Sequence, residues 1–487
     1  MNAAPVSSAT GVEDVLARSA AVAPDSTGVV VDGGEFTFGQ LDSAAAELAA
    51  RLAPNTRVLA RLGNDAASIV AIHAAWRAGC SIVTASTMVP QPEVERRTTE
   101  TAVSAVLNPV PAHGLRVDVV DTGVRQPAPA REAVVMFTSG TTGIPKGASL
   151  SYSALRGSLS GIAVGNGLPD DGRSPAQPAR GPRIVLVPVA HMGGFLGVLT
   201  AWWLGKPALL VQKFSSERVF DLAAKYRLGV LGLTPAMVWE LAQDDSGRAL
   251  PNVDSVIVGT AAIPEATRLA FEQKYHVPVL RNYGQTEFAG AIAFERPQDI
   301  AAGRRPDGTV GHVAPGVEVA IFGTDGAEVP TGEVGEIAAR AASAMSGYLG
   351  SDGKPATAED WLRTGDLGRL DADGFLFVVG RVRDMIVCGG FNIYPAQLEA
   401  ALNELPAVAD SAVGAIPDER LGEVPVAAVV MKQGAKLGAE SVRDALRSRL
   451  AAYELPRRVV FVDAIPRHDT GKVDRDAVGR LVLGQHP

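Results

Sequence analysis

Along residues 29–38, apolar and polar positions alternate on either side of an Asp-Gly-Gly turn, a pattern that predicts two short strands. The spacing then turns helical over 42–52, and a strand at 58–62, an apolar helix at 69–78 and a strand at 81–85 follow. His73 and Trp76 lie on that apolar helical stripe and read as packing residues. A looser, Pro-rich connection over 108–131 leads into a strand at 133–137, and a helix starts at Ser151. Residues 165–182 are rich in Gly, Pro, Asp and Ser and read as a long exposed loop. Strands at 184–188, 208–212, 229–233, 255–258 and 277–281 then alternate with helices near 217–226 and from Pro235 and Pro264. This alternation predicts an α/β fold with a mostly parallel sheet covered by helices on both faces. The longest apolar run, 193–205, with Trp202 and Trp203 as packing residues, is too short to span a bilayer and reads as a core helix.

Beyond residue 300 the pattern changes to short strands and turns at 316–322, 332–338 and 374–379, which reads as a β-rich subregion. After Arg381, helices at 395–405 and 441–450 mix with strands at 412–416, 425–431 and 458–462, the pattern of a separate small α+β domain. The expected organisation is a large domain over 1–381 and a small domain over 385–487.

A length of 487 residues, 47% of them hydrophobic, with a mean hydropathy of +0.14, fits more than one domain with a large core. The 53 acidic against 45 basic residues give a formal charge of −8, which offers no basic field for nucleic acid or anionic lipid and favours a small-molecule partner. Cys80 and Cys388 sit far apart in apolar sequence, so buried thiols in a reducing cytoplasm are expected, not a disulfide. The first twenty residues lack a basic start followed by an apolar block and do not read as a signal peptide.

The candidate chemistry begins at residues 136–147, Met-Phe-Thr-Ser-Gly-Thr-Thr-Gly-Ile-Pro-Lys-Gly. Hydroxyls and amides between glycines, with no acid among them and Lys146 at the far end, suit the wrapping of an oligophosphate. A Walker loop is excluded: Gly471-Lys472 has Pro466 where that motif needs Gly, and Val473 follows it. The string instead resembles the phosphate loop of the adenylate-forming superfamily, which contains acyl-CoA synthetases, luciferases and peptide-synthetase adenylation domains.

Further strings recur in that family's order, from about Phe36 to Val473, and the acyl-CoA synthetase type is the one they resemble. The resemblance implies that Thr138, Ser139, Gly140, Thr141, Thr142, Gly143 and Lys146 grip the phosphates of ATP. Asn282, Tyr283, Gly284, Gln285, Thr286 and Glu287 resemble the adenine and Mg²⁺ motif, with Thr286 and Glu287 catalytic and Glu287 the metal ligand. One carboxylate suffices, because Mg²⁺ completes its shell with phosphate and water. Thr260, Ala261 and Ala262 would line the other side of the adenine, although Thr260 and Ile263 depart from the family's usual Gly-Gly-Ala-Pro. Asp366 and Arg381 resemble the ribose pair, and an ionised Asp, an acceptor only, suits a vicinal diol. The resemblance also implies a hinge at 382–384, with Asp384 at the hinge position, about which the small domain is mobile, and Gly389 and Gly390 match the loop past which the pantetheine of CoA would run. Lys472, in Pro-Arg-His-Asp-Thr-Gly-Lys, matches the catalytic lysine that contacts the α-phosphate and the attacking carboxylate together.

The acid itself would enter near catalytic His191, with Met192, Phe195, Gly284 and Phe288 as candidate walls. Amino-acid-activating relatives place an aspartate shortly after this point, and none stands between His191 and Gly205, so an uncharged tail is expected. The function implied is an acid–thiol ligase using ATP, Mg²⁺ and CoA. Loading of an acyl-carrier protein and a non-catalytic nucleotide-binding role remain as alternatives.

Overall fold

The computed structural model describes residues 11–110, 114–138, 145–165, 181–350, 357, 359–389, 391–467 and 473–484. By packing they form two compact units, Met1–Val319 with Ala339–Leu362, and Ala320–Ala338 with Arg363–Pro487. Residues 363–381 thus pack with the C-terminal unit; the hinge expected at 382–384 concerns movement and is a separate matter.

The first unit is layered α/β. Its seven-stranded sheet runs Gly347–Tyr348, Lys146–Ser151, Glu132–Thr138, Ser81–Ser86, Arg57–Leu62, Ala105–Pro109, Val117–Asp121 in spatial order. The middle four strands are parallel and both edges are antiparallel. Every residue of Ser81–Ser86 is buried, as a central parallel strand covered on both faces requires. The edge strand Val117–Asp121 lies inside the stretch that its Pro-rich sequence marks as a loose connection. Cross-strand pairing with Ala105–Pro109 overrides that local signal. The long loop expected over 165–182 lies largely outside the described residues.

An ion pair with a buried carboxylate clamps the base of the sheet. The Arg57 guanidinium donates to both carboxylate oxygens of Glu132 at 2.7 and 3.0 Å, and the Ser149 hydroxyl donates to the same carboxylate at 2.7 Å. Glu132 begins the strand that ends at Thr138, and Ser149 lies in the strand that Lys146 starts.

In a further sheet, Gly229–Leu233, Val253–Val258 and Val279–Gln285 run parallel. Gly290–Phe294 returns antiparallel on the last of them, placing Ala291 opposite Gly284. The apolar helices Ala66–Arg77 and Met192–Trp203 are internal, and the former starts at Asp65, whose carboxylate accepts the Ser68 N–H at 2.8 Å.

His73 is enclosed between Trp76 and Trp202, with ring centroids at 5.3 and 5.1 Å, and its Nδ1 has no hydrogen-bond partner among the described residues. Desolvation pushes its pKa down to about 3 from 6.5. The folded imidazole is therefore neutral, and full stability is present above pH 6.5, where the unfolded chain is neutral too. As pH falls from 6.5 towards about 3, only the unfolded state takes up the proton, so stability is lost. Acid titration to about pH 5 is expected to remove about 2 kcal/mol through this group. Chemical denaturation of His73→Leu should show that part of the pH slope gone; an unchanged slope would assign it elsewhere.

The second unit contains the hairpin of Leu362–Leu370 and Phe375–Arg381. It also has a small sheet, in which Phe391–Ile393, Ile386–Cys388, Gly422–Met431 and Val408–Asp418 are neighbours and Val459–Phe461 pairs with Gly422–Met431. Helices Pro395–Asn403 and Ala439–Leu446 cover a core around Leu398, Leu402, Val426 and Leu446, which is the small α+β domain expected. Ile386–Cys388 and Phe391–Ile393 pair as antiparallel strands, and Gly389 follows the first of them at φ 59°.

Candidate nucleotide and acyl site

The site is built on the strand Val279–Gln285, which ends in a single tight turn, Thr286–Phe288. Ala289 at φ 49° and Gly290 at φ 133° reverse the chain immediately afterwards. Gly284 has no room for a side chain, since a Cβ there would lie 2.0 Å from the Gly290 carbonyl oxygen. This crossing fixes the turn and aims Glu287 at the paired strands Glu132–Thr138 and Lys146–Ser151.

Glu287 Oε1 accepts hydrogen bonds from the Thr138 hydroxyl at 3.1 Å and the Tyr348 hydroxyl at 2.8 Å. Thr138 ends the strand entering the loop, and Lys146, its cross-strand partner, starts the strand leaving it. The Lys146 ammonium lies 5.6 Å from the centroid of the Tyr348 ring. Burial, and then the Glu287 carboxylate, push the Tyr348 phenol well above its ordinary pKa, so it is a donor at any working pH. Gly147 lets this corner close: a Cβ would meet Leu349 Cδ1 at 2.8 Å, where the Leu349 N–H donates to the Gly147 carbonyl. Ser139, Gly140, Thr141, Thr142 and Gly143 lie outside the described residues.

Asn282 and Tyr283 precede the turn on the same strand, with Gly284 between Tyr283 and Gln285. Asn282 Oδ1 is buried with no hydrogen-bond partner among the described residues. The backbone of Asn282 lies near Gly259, which leads into exposed Thr260, Ala261 and Ala262. Thr260 has φ 73°, a left-handed conformation that is costly for a β-branched residue. Such strain is typically kept where function needs the backbone bent.

In the second unit, Asp366 and Arg381 stand opposite each other across the hairpin, with a 3.1 Å ion pair. Asp366 is buried, while the Arg381 side chain is 39% exposed, so the pair has one anchored and one accessible member. Asp384 closes the turn Val382–Asp384 and pairs with Arg475 at 3.1 Å, a residue whose guanidinium also binds Glu399. Gly389 donates its N–H to the Leu421 carbonyl. Gly390 and Lys472 lie outside the described residues.

His191 caps the helix Met192–Trp203. Desolvation, aided by the Arg97 guanidinium, lowers its pKa, which leaves the imidazole neutral near pH 7. Met192, Phe195 and Phe288 are buried core side chains; the Phe195 ring packs 5.8 Å from Trp76. A cavity of about 350 Å³ lies nearby, between the helix Tyr152–Gly165 and the strand Gly290–Phe294. It is lined by Gly157, Ser158, Gly161, Ala291 and Phe294, among others, and among the described residues by no ionisable side chain. A Cβ on Gly290 would touch the hydroxyl of Ser158 at 3.0 Å and Leu196 of the His191 helix at 2.8 Å, which ties the cavity to both.

Thr138, Lys146 and Glu287 are therefore brought together, as are Asp366 and Arg381. Tyr348, Arg475 and the cavity lining are functional candidates that sequence reasoning missed. The Tyr348–Glu287 contact spans 61 residues and has no local signature, whereas the spacing of Gly157 and Gly161 marks a smooth helical face.

The sequence matches the family described as AMP-binding enzyme over residues 16–349 and the AMP-binding enzyme C-terminal domain over 397–472. The chain belongs to this AMP-binding enzyme family, within the adenylate-forming superfamily and its acyl-CoA synthetase type. It is 36% identical over 369 residues to indoleacetate–CoA ligase of Aromatoleum aromaticum, covering 73% of this chain and 68% of that one. It is 29% identical over 486 residues to 2-succinylbenzoate–CoA ligase of Listeria monocytogenes, covering 95% and 97% of the two chains. The solved structure of the amide bond synthetase McbA from Marinactinospora thermotolerans is similar with a TM-score of 0.83 and 27% identity, over 96% of this chain and 99% of that one. No helix among the described residues is long and apolar enough to cross a membrane.

Proposed function

We propose that the chain converts a carboxylic acid with an uncharged tail to its acyl-CoA thioester in two steps. The acid's carboxylate oxygen attacks the α-phosphorus of ATP, the bond to the β-phosphate oxygen breaks, and acyl-AMP and pyrophosphate result. The CoA thiol then attacks the acyl carbonyl and AMP leaves. The carrying observation is Glu287, held by Thr138 and Tyr348 at the corner where the phosphate-loop hairpin begins and Lys146 emerges.

Thr138 and Lys146 grip phosphate, and Asn282 Oδ1 offers an acceptor to the purine amino group. Asp366 accepts from the ribose hydroxyls beside Arg381. No cluster of three or more potential metal-ligating side chains occurs among the described residues, and the donor that this reading assigns to a metal is the Glu287 carboxylate. That donor fits Mg²⁺, which keeps phosphate and water in its shell. When bound, the ion would neutralise phosphate charge. Lys472 stabilises the charge that develops between carboxylate and α-phosphate, and Thr286 and His191 orient the reacting groups. Gly389 and Gly390 allow pantetheine a close approach. The segment 382–384 acts as the pivot between the half-reactions, with Asp384 held by Arg475 in the present conformation. Buried free Cys80 and Cys388 suit a reducing cytoplasm.

The tail occupies the cavity beside Ala291, where the absence of ionisable lining disfavours a charged end. Ala291→Leu is expected to lower kcat/KM for the bulkiest accepted acid about 10- to 200-fold while sparing a short one. Steady-state comparison of a size series checks this; a uniform loss across the series would place the tail elsewhere.

The reading is tested by incubating the protein with a carboxylic-acid panel, MgATP and one of three acceptors: CoA, a phosphopantetheinylated carrier protein, or an amine. Pyrophosphate with CoA thioester supports it. Pyrophosphate with thioester on the carrier protein alone moves the acceptor to that partner. An amide product alone would align the chain with its amide bond synthetase relative.

A further inference from the structure

Tyr348 lies on a two-residue edge strand, Gly347–Tyr348, paired with the strand that Lys146 begins. It touches both charged groups of the corner: its hydroxyl donates to Glu287 Oε1 at 2.8 Å, and its ring faces the Lys146 ammonium at 5.6 Å. Lys146 is the cross-strand partner of Thr138, and the Thr138 hydroxyl also donates to Oε1, so a lysine side chain there has the reach to pair with Glu287. Among the described residues no such ion pair exists, although ammonium and carboxylate are opposite charges at one corner.

We propose that Tyr348 is a positioning residue of the nucleotide site, which keeps Glu287 and Lys146 apart so that each meets the ligand and not the other. This rests on the reading of Glu287 as the metal-facing carboxylate. Both side-chain hydrogen bonds to the carboxylate end on Oε1, and none reaches Oε2 among the described residues. The two hydroxyls therefore fix the orientation of the group and leave the other oxygen to a divalent cation. The ring attracts Lys146 about as weakly as an exposed carboxylate would, so it competes with Glu287 for the ammonium. An oligophosphate, with several charges, wins Lys146 from either. A collapsed Lys146–Glu287 pair would instead have to be broken at every binding event, and neither charge would be preorganised.

A tyrosine that merely fills space would predict a different response from one that orients a carboxylate. The experiment is calorimetric titration of the full chain with ATP, with and without Mg²⁺, for wild type, Tyr348→Phe, Tyr348→Leu and Thr138→Val. Tyr348→Phe keeps the ring and loses the donor. It is expected to weaken MgATP binding about tenfold, the size of one hydrogen bond to a charged group, while metal-free ATP binds within about twofold of wild type. Thr138→Val removes the other donor to the same oxygen and a phosphate contact as well, so it should weaken ATP in both metal states, with the larger loss when Mg²⁺ is present. Tyr348→Leu also frees Lys146 to pair with Glu287, so it should weaken ATP in both metal states and respond more to salt.

Equal losses with and without metal in Tyr348→Phe, or no loss, would overturn the proposal. If Tyr348→Phe melts early, Thr138→Val decides: a loss no larger with Mg²⁺ than without it would overturn the proposal. Failure of wild type to bind ATP at all would instead sink the underlying reading of the site.

Discussion

Lys472→Ala is expected to lower acyl-adenylate formation by about 10²-fold or more, the scale on which removing one oxyanion stabiliser acts, while thioester formation from supplied acyl-AMP survives. Two anions, the attacking carboxylate and the α-phosphate, must meet for the first step. An ammonium within ~4 Å of each contributes about 4 kcal/mol per contact at an effective dielectric near 20, before its own desolvation is counted. The second step joins a thiol to a mixed anhydride and has no such repulsion to overcome. Rapid-quench measurement of each half-reaction separates the two. An equal fall in both would remove Lys472 from the proposed division of labour.

Arg57→Ala is expected to destabilise the first unit by about 3–5 kcal/mol, because it strands the Glu132 carboxylate, whose side chain is 2% exposed, without its counter-charge. The Ser149 hydroxyl at 2.7 Å is a single neutral donor and cannot replace a two-point guanidinium. Since Glu132 and Ser149 belong to the two strands that carry Thr138 and Lys146, the residues proposed to grip phosphate, ATP affinity should fall together with stability. Denaturant unfolding followed beside ATP titration checks both. The double variant Arg57→Met with Glu132→Leu should recover much of the loss, as apolar replacement of buried pairs commonly does. If the single variant is as stable as wild type, the pair is not a clamp.

Much of the fold was legible because its signals are local. The fully buried Ser81–Ser86 reads as a continuous β run, and Ala66–Arg77 as an apolar helix. The meeting of Thr138, Lys146 and Glu287 at one corner was legible for the same reason, since Thr138 and Lys146 belong to one string and Glu287 to another. Tyr348 was not, because a phenol that completes the corner from 61 residues away leaves no pattern near itself. The acyl walls illustrate a different limit. Met192, Phe195 and Phe288 are candidates from their apolar character, the same character that draws large side chains into the core, where Phe195 and Phe288 are each 1% exposed. Open volume remains where residues are small, at Gly157, Gly161 and Ala291, and smallness carries little chemical signal in a sequence. The edge strand Val117–Asp121 was hidden by Asp118 and Asp121 and by its Pro-rich flanks, and only its pairing partner makes it a strand.

Acid-dependent exchange of labelled pyrophosphate into ATP, without any thiol acceptor, probes the central claim most directly. Formation of acyl-AMP is reversible while both products stay bound or available. The account predicts exchange that requires both the acid and Mg²⁺, with AMP and pyrophosphate as the only nucleotide-derived products once CoA is added. Release of ADP and inorganic phosphate, or exchange indifferent to the acid, would contradict it.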